Sequence, residues 1–186
     1  QNAFDNICHE HLEFYSLLSM ENLLNRHGLE IYSVELNDIN GGSFRTYIGH
    51  RGTRAIGDTV LALRQSEKLI GLDTPKVYQD FAKRVRIIAD KLHDYIEGLV
   101  RDGKKVYTYG ASTRGNTLLQ YCNLDSKLIK AAVERNPEKW GKTYGGTGIP
   151  IISEEQARQE KPDYMIVLPW FHFFPEMRNR EDAYIQ

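Results

Sequence analysis

Apolar residues recur in two rhythms along this 186-residue chain, and the change between them divides it. Over residues 12–27 they fall at helical spacing, with Leu17, Met20, Leu23 and Leu24 on one face and Gly28 as the stop. Strand-like runs follow at 29–36 and 43–49. Between them Asn37-Asp38-Ile39-Asn40-Gly41-Gly42 has the composition of a hairpin loop. Residues 51–73 are polar with weak helical character and read as connecting structure. Pro75 suits the first position of a long helix, whose stripe runs Val77, Phe81, Val85, Ile88, Leu92, Ile96 and Leu99 before Asp102-Gly103 ends it. Three short buried-strand candidates come next, at 105–109, 128–133 and 164–168, with helical or loop segments at 115–121 and 154–160. Strands alternating with helices predict a parallel sheet. The expected class is α/β: a Rossmann-like parallel sheet with flanking helices, preceded by a helix and a β-hairpin. The expected divisions are residues 1–52, a connection at 53–74, and a compact domain at 75–186.

Composition narrows the partners. The apolar fraction of 41% is ordinary for a packed domain, and the net charge of −1 gives no global field for nucleic acid or an anionic membrane surface. The cysteines, Cys8 and Cys122, form no CxxC pair and fit a reducing, cytoplasmic setting. No apolar run approaches the roughly 20 residues a bilayer requires. The chain opens on Gln1 in mid-pattern and closes on a helical pattern, so a piece of a longer protein is expected.

The candidate chemistry concentrates after the first parallel strand, in Tyr109-Gly110-Ala111-Ser112-Thr113-Arg114-Gly115-Asn116. A small-residue turn between a strand and a helix presents main-chain N–H groups at a helix N-terminus, where the peptide dipoles favour an anion. Gly110 and Gly115 allow close approach, and Ser112, Thr113, Arg114 and Asn116 add donors and a positive charge. The glycines are five apart, so the run is neither GxGxxG as written nor a P-loop. It predicts a phosphate or diphosphate cradle, or else a tight connection whose small residues serve packing. Glu134, about 20 positions on at a strand end, stands where dinucleotide folds bind a ribose hydroxyl; the alternative is a loop carboxylate paired with Arg135. Gly145-Gly146-Thr147-Gly148-Ile149-Pro150 either folds over a ligand or punctuates the chain. Trp170 and His172 can line a pocket, whereas Phe171, Phe173 and Phe174 read as packing residues.

Near the start lies Cys8-His9-Glu10-His11. Four consecutive residues surround one ion poorly, so no metal is expected. An imidazole that titrates near neutrality is a natural general base, and surface histidines beside a helix are the ordinary alternative.

Taken together, these segments resemble the C-terminal portion of the three-domain, S-adenosylmethionine-dependent sugar C-methyltransferases. The resemblance rests on His9-Glu10-His11 with Phe14-Tyr15-Ser16, Gly41-Gly42-Ser43-Phe44-Arg45, the run 109–120, Glu134-Arg135-Asn136-Pro137, Gly146-Thr147-Gly148-Ile149-Pro150 and Leu168-Pro169-Trp170. It implies that residues 1–52 are the tail of the methyltransferase domain and that the C-terminal domain helps to hold a nucleotide-linked keto-deoxysugar. It implies His11 as the base that deprotonates the carbon beside the keto group, and Glu10 as a partner for sugar hydroxyls. The family's Tyr is Cys8 here, a shorter group and a weaker donor. The diphosphate would lie on Gly110, Ser112, Thr113, Arg114, Gly115 and Asn116, with Glu134 and Trp170 nearby. The glycine loop for S-adenosylmethionine and the paired cysteines of a zinc domain are absent from the sequence, so this chain alone is expected to be inactive. Two other classes fit parts of the pattern: a non-catalytic Rossmann-like nucleotide-binding module, and a fragment of an NAD(P)-dependent oxidoreductase.

Overall fold

The computed structural model describes residues 4–7, 11–39, 42–168 and 174–182. By contact, residues 12–85 form one compact unit. Residues 86–186 form another, together with the N-terminal stretch that carries Phe4, Asp5 and His11.

In the first unit, α1 (Leu17–Asn25) precedes an antiparallel hairpin of β1 (Leu29–Asn37) and β2 (Ser43–His50), and α2 (Asp58–Ile70) follows. Helix α1 starts later than the apolar spacing suggests because Ser16 adopts an extended conformation and caps it, exchanging bonds with Ser19. Leu17, Ile31, Val34 and Val60 form the core, flanked by Met20, Leu24, Phe44, Ile56 and Leu63. The polar stretch after the hairpin is a helix because its few apolar residues, Val60 and Leu63 among them, meet this core. Helix α2 also supplies the acid that α1 lacks in its own first turn. The buried Glu67 carboxylate accepts the Leu17 and Leu18 N–H groups at 2.7 and 2.9 Å, meeting donors that a helix N-terminus cannot satisfy itself.

Helix α3 (Pro75–Arg101) runs the length its stripe predicts, and Gly103, at φ +76°, turns the chain out of it. The second unit then builds a four-stranded parallel sheet from β3 (Val106–Tyr109), β4 (Ala132–Val133), β5 (Ile151–Ile152) and β6 (Tyr164–Val167) in the order β5-β4-β3-β6. Helices α4 (Thr113–Tyr121), α5 (Glu154–Glu160) and α6 (Phe174–Glu181), with a single 3-10 turn at Pro137–Lys139, complete the described elements. The sheet is therefore the expected parallel α/β layer, with an additional strand, β5. Two apolar residues between a glycine loop and a helix carry too little periodicity to read as a strand; pairing with β4 makes them one. Strand β3 is buried along Val106, Tyr107 and Thr108, as a central parallel strand must be. One face packs Tyr107, Ala131, Val133 and Ile152 with Ala157 of α5.

Replacing Glu67 by Ala strands two helix-terminal donors in a buried position. We expect a loss of about 2–3 kcal/mol, the range for hydrogen bonds to a charged group. Chemical denaturation of Glu67→Ala against wild type measures it, with Glu67→Gln losing less.

Candidate functional site

The chain leaves β3, passes outward to β4 and β5, and returns to pair β6 against the other side of β3. Such a reversal opens a crevice beyond the carboxyl ends of the strands. A cleft of about 420 Å³ lies there, lined by the end of β3 (Tyr109 to Ser112), the end of β4 (Val133 to Arg135), Glu154, Leu168 and three residues of α6.

Its floor is the turn from β3 into α4. Gly110 has φ +92°, a conformation that favours glycine, and its N–H donates to Val133 O at 2.7 Å. Ser112 is the N-cap, its hydroxyl accepting Gly115 N–H at 3.0 Å. Gly115 is buried against β6, and a Cβ there would stand 2.7 Å from Leu168 Cδ1. Gly110 and Gly115 thus hold the first and third positions of a GxGxxG fingerprint, those of the tight turn and of close helix–strand packing. Ser112 stands at the second, where glycine would let the backbone approach a pyrophosphate. The sequence spacing contained this correspondence; only the geometry assigns the roles.

Glu134 reaches across from β4. One carboxylate oxygen accepts Ala111 N–H at 3.0 Å and Lys139 Nζ at 3.2 Å; the other accepts Arg135 N–H at 2.8 Å and Asn136 N–H at 3.1 Å. Burial, the largest influence, works to raise its pKa. The donors from Asn136, Lys139, Ala111 and Arg135 together outweigh it and hold the carboxyl below its ordinary range. Four donors occupy the acceptor sites that a ribose would need. Lys139 also donates to Ala111 O at 2.9 Å, and Trp140 Nε1 donates to Glu134 O at 2.7 Å.

The glycine loop after Thr143 buttresses the same turn. Tyr144 hydroxyl lies 3.3 Å from both Gly110 O and Ser112 O, and Asn116 Nδ2 donates to Gly145 O at 3.1 Å. Burial, with the nearby Glu134 charge, pushes the Tyr144 phenol well up, so it remains a donor. On the opposite wall Tyr109 hydroxyl donates to Glu181 at 2.9 Å, and Arg180 bonds Glu154 at 3.1 Å and Glu181 at 3.2 Å. These contacts hold α6 at the cleft.

Of the sequence candidates, Gly110, Ser112 and Glu134 line the cleft. Arg114 turns elsewhere: its guanidinium bonds Asp5 through Nε at 2.7 Å and through a second nitrogen, with the two side chains only 14% and 9% exposed. Two cations line the cleft: Arg180, paired with Glu154 and Glu181, and Arg135, 67% exposed, its Nε 4.0 Å from Glu154. Nothing local in the sequence marks Arg135 for that position; the fold of the β4 end sets it there. Thr113 stands exposed at the first helical position of α4. His11 is exposed, with Nδ1 2.9 Å from Asn6 O. A carbonyl only accepts, so in this contact Nδ1 is the donor. Glu10, Cys8, His9, Trp170 and His172 lie outside the described residues. Among the described residues no cluster of His, Cys, Asp or Glu could hold a metal ion, and no helix is long and apolar enough to cross a membrane.

Gly115→Val drives a branched side chain into Leu168. We expect a stability loss on the order of 1–3 kcal/mol, read by thermal unfolding. For Glu134 the folded pKa lies below the unfolded one, so its stabilisation is present above the unfolded value and is lost as pH falls through the folded value. Glu134→Gln, which sets an amide N–H₂ against donors, should cost about 2 kcal/mol at pH 7. Denaturation at a series of pH values should show that difference shrinking below the ordinary glutamate range.

Comparison with known proteins agrees with this architecture. The family described as C-methyltransferase C-terminal domain matches residues 38–186. The C-methyltransferase NovU of Streptomyces niveus is 33% identical over 186 residues, covering all of this chain and 44% of that protein. The chain therefore spans less than half the length of that relative. Matched to the family over most of its length, and aligned from end to end with a C-methyltransferase, the chain belongs to the C-methyltransferase C-terminal domain family.

Proposed function

We propose that this chain is the nucleotide-sugar-holding part of an S-adenosylmethionine-dependent C-methyltransferase that acts on a nucleotide-linked keto-deoxysugar. The observation that carries the reading is the cleft at the strand reversal, with the N-terminus of α4 on its floor and Arg135 on its wall. Helix geometry leaves the N–H groups of Ser112 and Thr113 without intrahelical acceptors, and the α4 dipole favours an anion there. A diphosphate is the part of the substrate that these groups suit, with Arg135 as its counter-charge.

His11 is the base. Its Nε2 lone pair takes the proton from the carbon beside the keto group, and the C–H electron pair passes into an enolate, leaving that carbon nucleophilic. Binding energy from the distant diphosphate sets where this carbon stands. S-adenosylmethionine supplies the electrophilic methyl group. The described residues do not fit that cofactor: Glu134, the acid beside the glycine turn, is spent on four internal donors and has no acceptor left for its ribose. The same saturation sets the chain apart from an NAD(P)-binding half, whose ribose uses that acid.

Titration calorimetry with uridine- and thymidine-diphosphate sugars tests the reading. The chain should bind at least one of them, and Arg135→Ala should weaken binding about tenfold, or about 1.4 kcal/mol. Methyl transfer should occur in the full-length protein and disappear in its His11→Ala form. An Arg135→Ala affinity equal to wild type would remove the diphosphate from this cleft.

A further inference from the structure

We infer that Asp5 and Arg114 are positioning residues for the base: the ion pair fixes the His11-bearing stretch to the first turn of α4, the turn that floors the cleft. The inference rests on the proposed proton abstraction by His11 and assigns a task to residues outside the cleft.

The contacts form a continuous path. Arg114 is the second residue of α4, two positions after the N-cap Ser112, which lines the cleft. Its guanidinium grips Asp5 with two nitrogens across 109 positions of sequence, and both side chains are largely buried. Phe4, itself buried, packs on Tyr121 near the end of the same helix, with ring centroids 5.1 Å apart. The stretch is thus held at both ends of α4. Ile7 N–H donates to Phe4 O at 3.2 Å, closing a turn that contains Asp5 and Asn6. Asn6, next to the anchored Asp5, presents the carbonyl that accepts a hydrogen bond from His11 Nδ1 and so orients the ring.

A buried ion pair is a weak source of net stability, because desolvating both charges offsets most of the attraction. What it supplies is geometry: a forked guanidinium on a carboxylate admits few arrangements. Together with the Phe4–Tyr121 contact, the ion pair holds a stretch without helix or strand of its own in register with a substrate anchored elsewhere on the same unit. The arrangement also explains why the cation closest in sequence to the phosphate-binding turn does not line the cleft. Placing Arg114 on Asp5 couples the floor of the cleft to the base.

The test uses the full-length enzyme and deuterium wash-in from D₂O at the sugar carbon, which reports proton abstraction without methyl transfer. The probes are uridine- and thymidine-diphosphate keto-deoxysugars. Arg114→Lys keeps the charge and loses the fork; Asp5→Asn keeps the shape and loses the charge. Both should slow wash-in by on the order of 10- to 100-fold, the scale of a misplaced reacting group, with Kd for the probe within about twofold of wild type. The exchanged pair Asp5→Arg with Arg114→Asp should recover part of the rate. Unchanged wash-in in folded Arg114→Lys and Asp5→Asn overturns the inference, and so does a Kd that rises in step with the lost rate, since that makes Arg114 a ligand-binding group. A wild-type enzyme that shows no wash-in, or a His11→Ala form as fast as wild type, instead sinks the reading of His11 as base, and the inference with it.

Discussion

The second unit depends on one carboxylate. Glu134 accepts hydrogen bonds from Ala111, Arg135, Asn136 and Lys139, and so welds the end of β4 to the turn that leaves β3. Without that contact the Ala111 amide would lack its partner, and Lys139, which bonds both Glu134 and the Ala111 carbonyl, would lose its counter-charge. The four donors keep the charge in place despite its burial. They also determine what the cleft can accept, because a carboxylate saturated internally has no acceptor left for a ribose.

The turn carries the same economy further. Gly110 takes the bend and Gly115 the close approach to Leu168, while Ser112, in place of the middle glycine, caps α4. Two fingerprint positions retain their packing roles, and the acid beside them is spent internally. A strand–turn–helix arranged like that of dinucleotide-binding folds thus carries different internal bonds here, with Arg135 exposed at the cleft beside the proposed anion site.

The N-terminal stretch belongs to this unit by contact although it is far from it in sequence. Phe4 and Asp5 are among its buried residues, and they draw Tyr121 and Arg114 of α4 into their service. The unit proposed to receive the substrate's anionic end therefore also carries the residue proposed to attack its carbon–hydrogen bond. Helix α4 relates the two.

Much was legible in the chain before any coordinates. The long stripe of α3, the hairpin with its glycine-bearing loop and the alternation of short strands with helices are local patterns, because a helix face and a strand face are set by residues three, four or two apart. The turn after Tyr109 was legible too, since its small residues leave few other uses. Tertiary structure alone decided which side chains meet. That Glu134 bonds Ala111 rather than the Arg135 side chain, that Arg114 faces Asp5, that Ile151 and Ile152 become a strand, and that Glu67 caps a helix 49 residues away are all long-range pairings. Charged side chains are exposed to many possible partners in an unfolded chain, and no local period selects among them. Only burial in one specific packing does, by making an unpaired charge costly everywhere except beside its native partner.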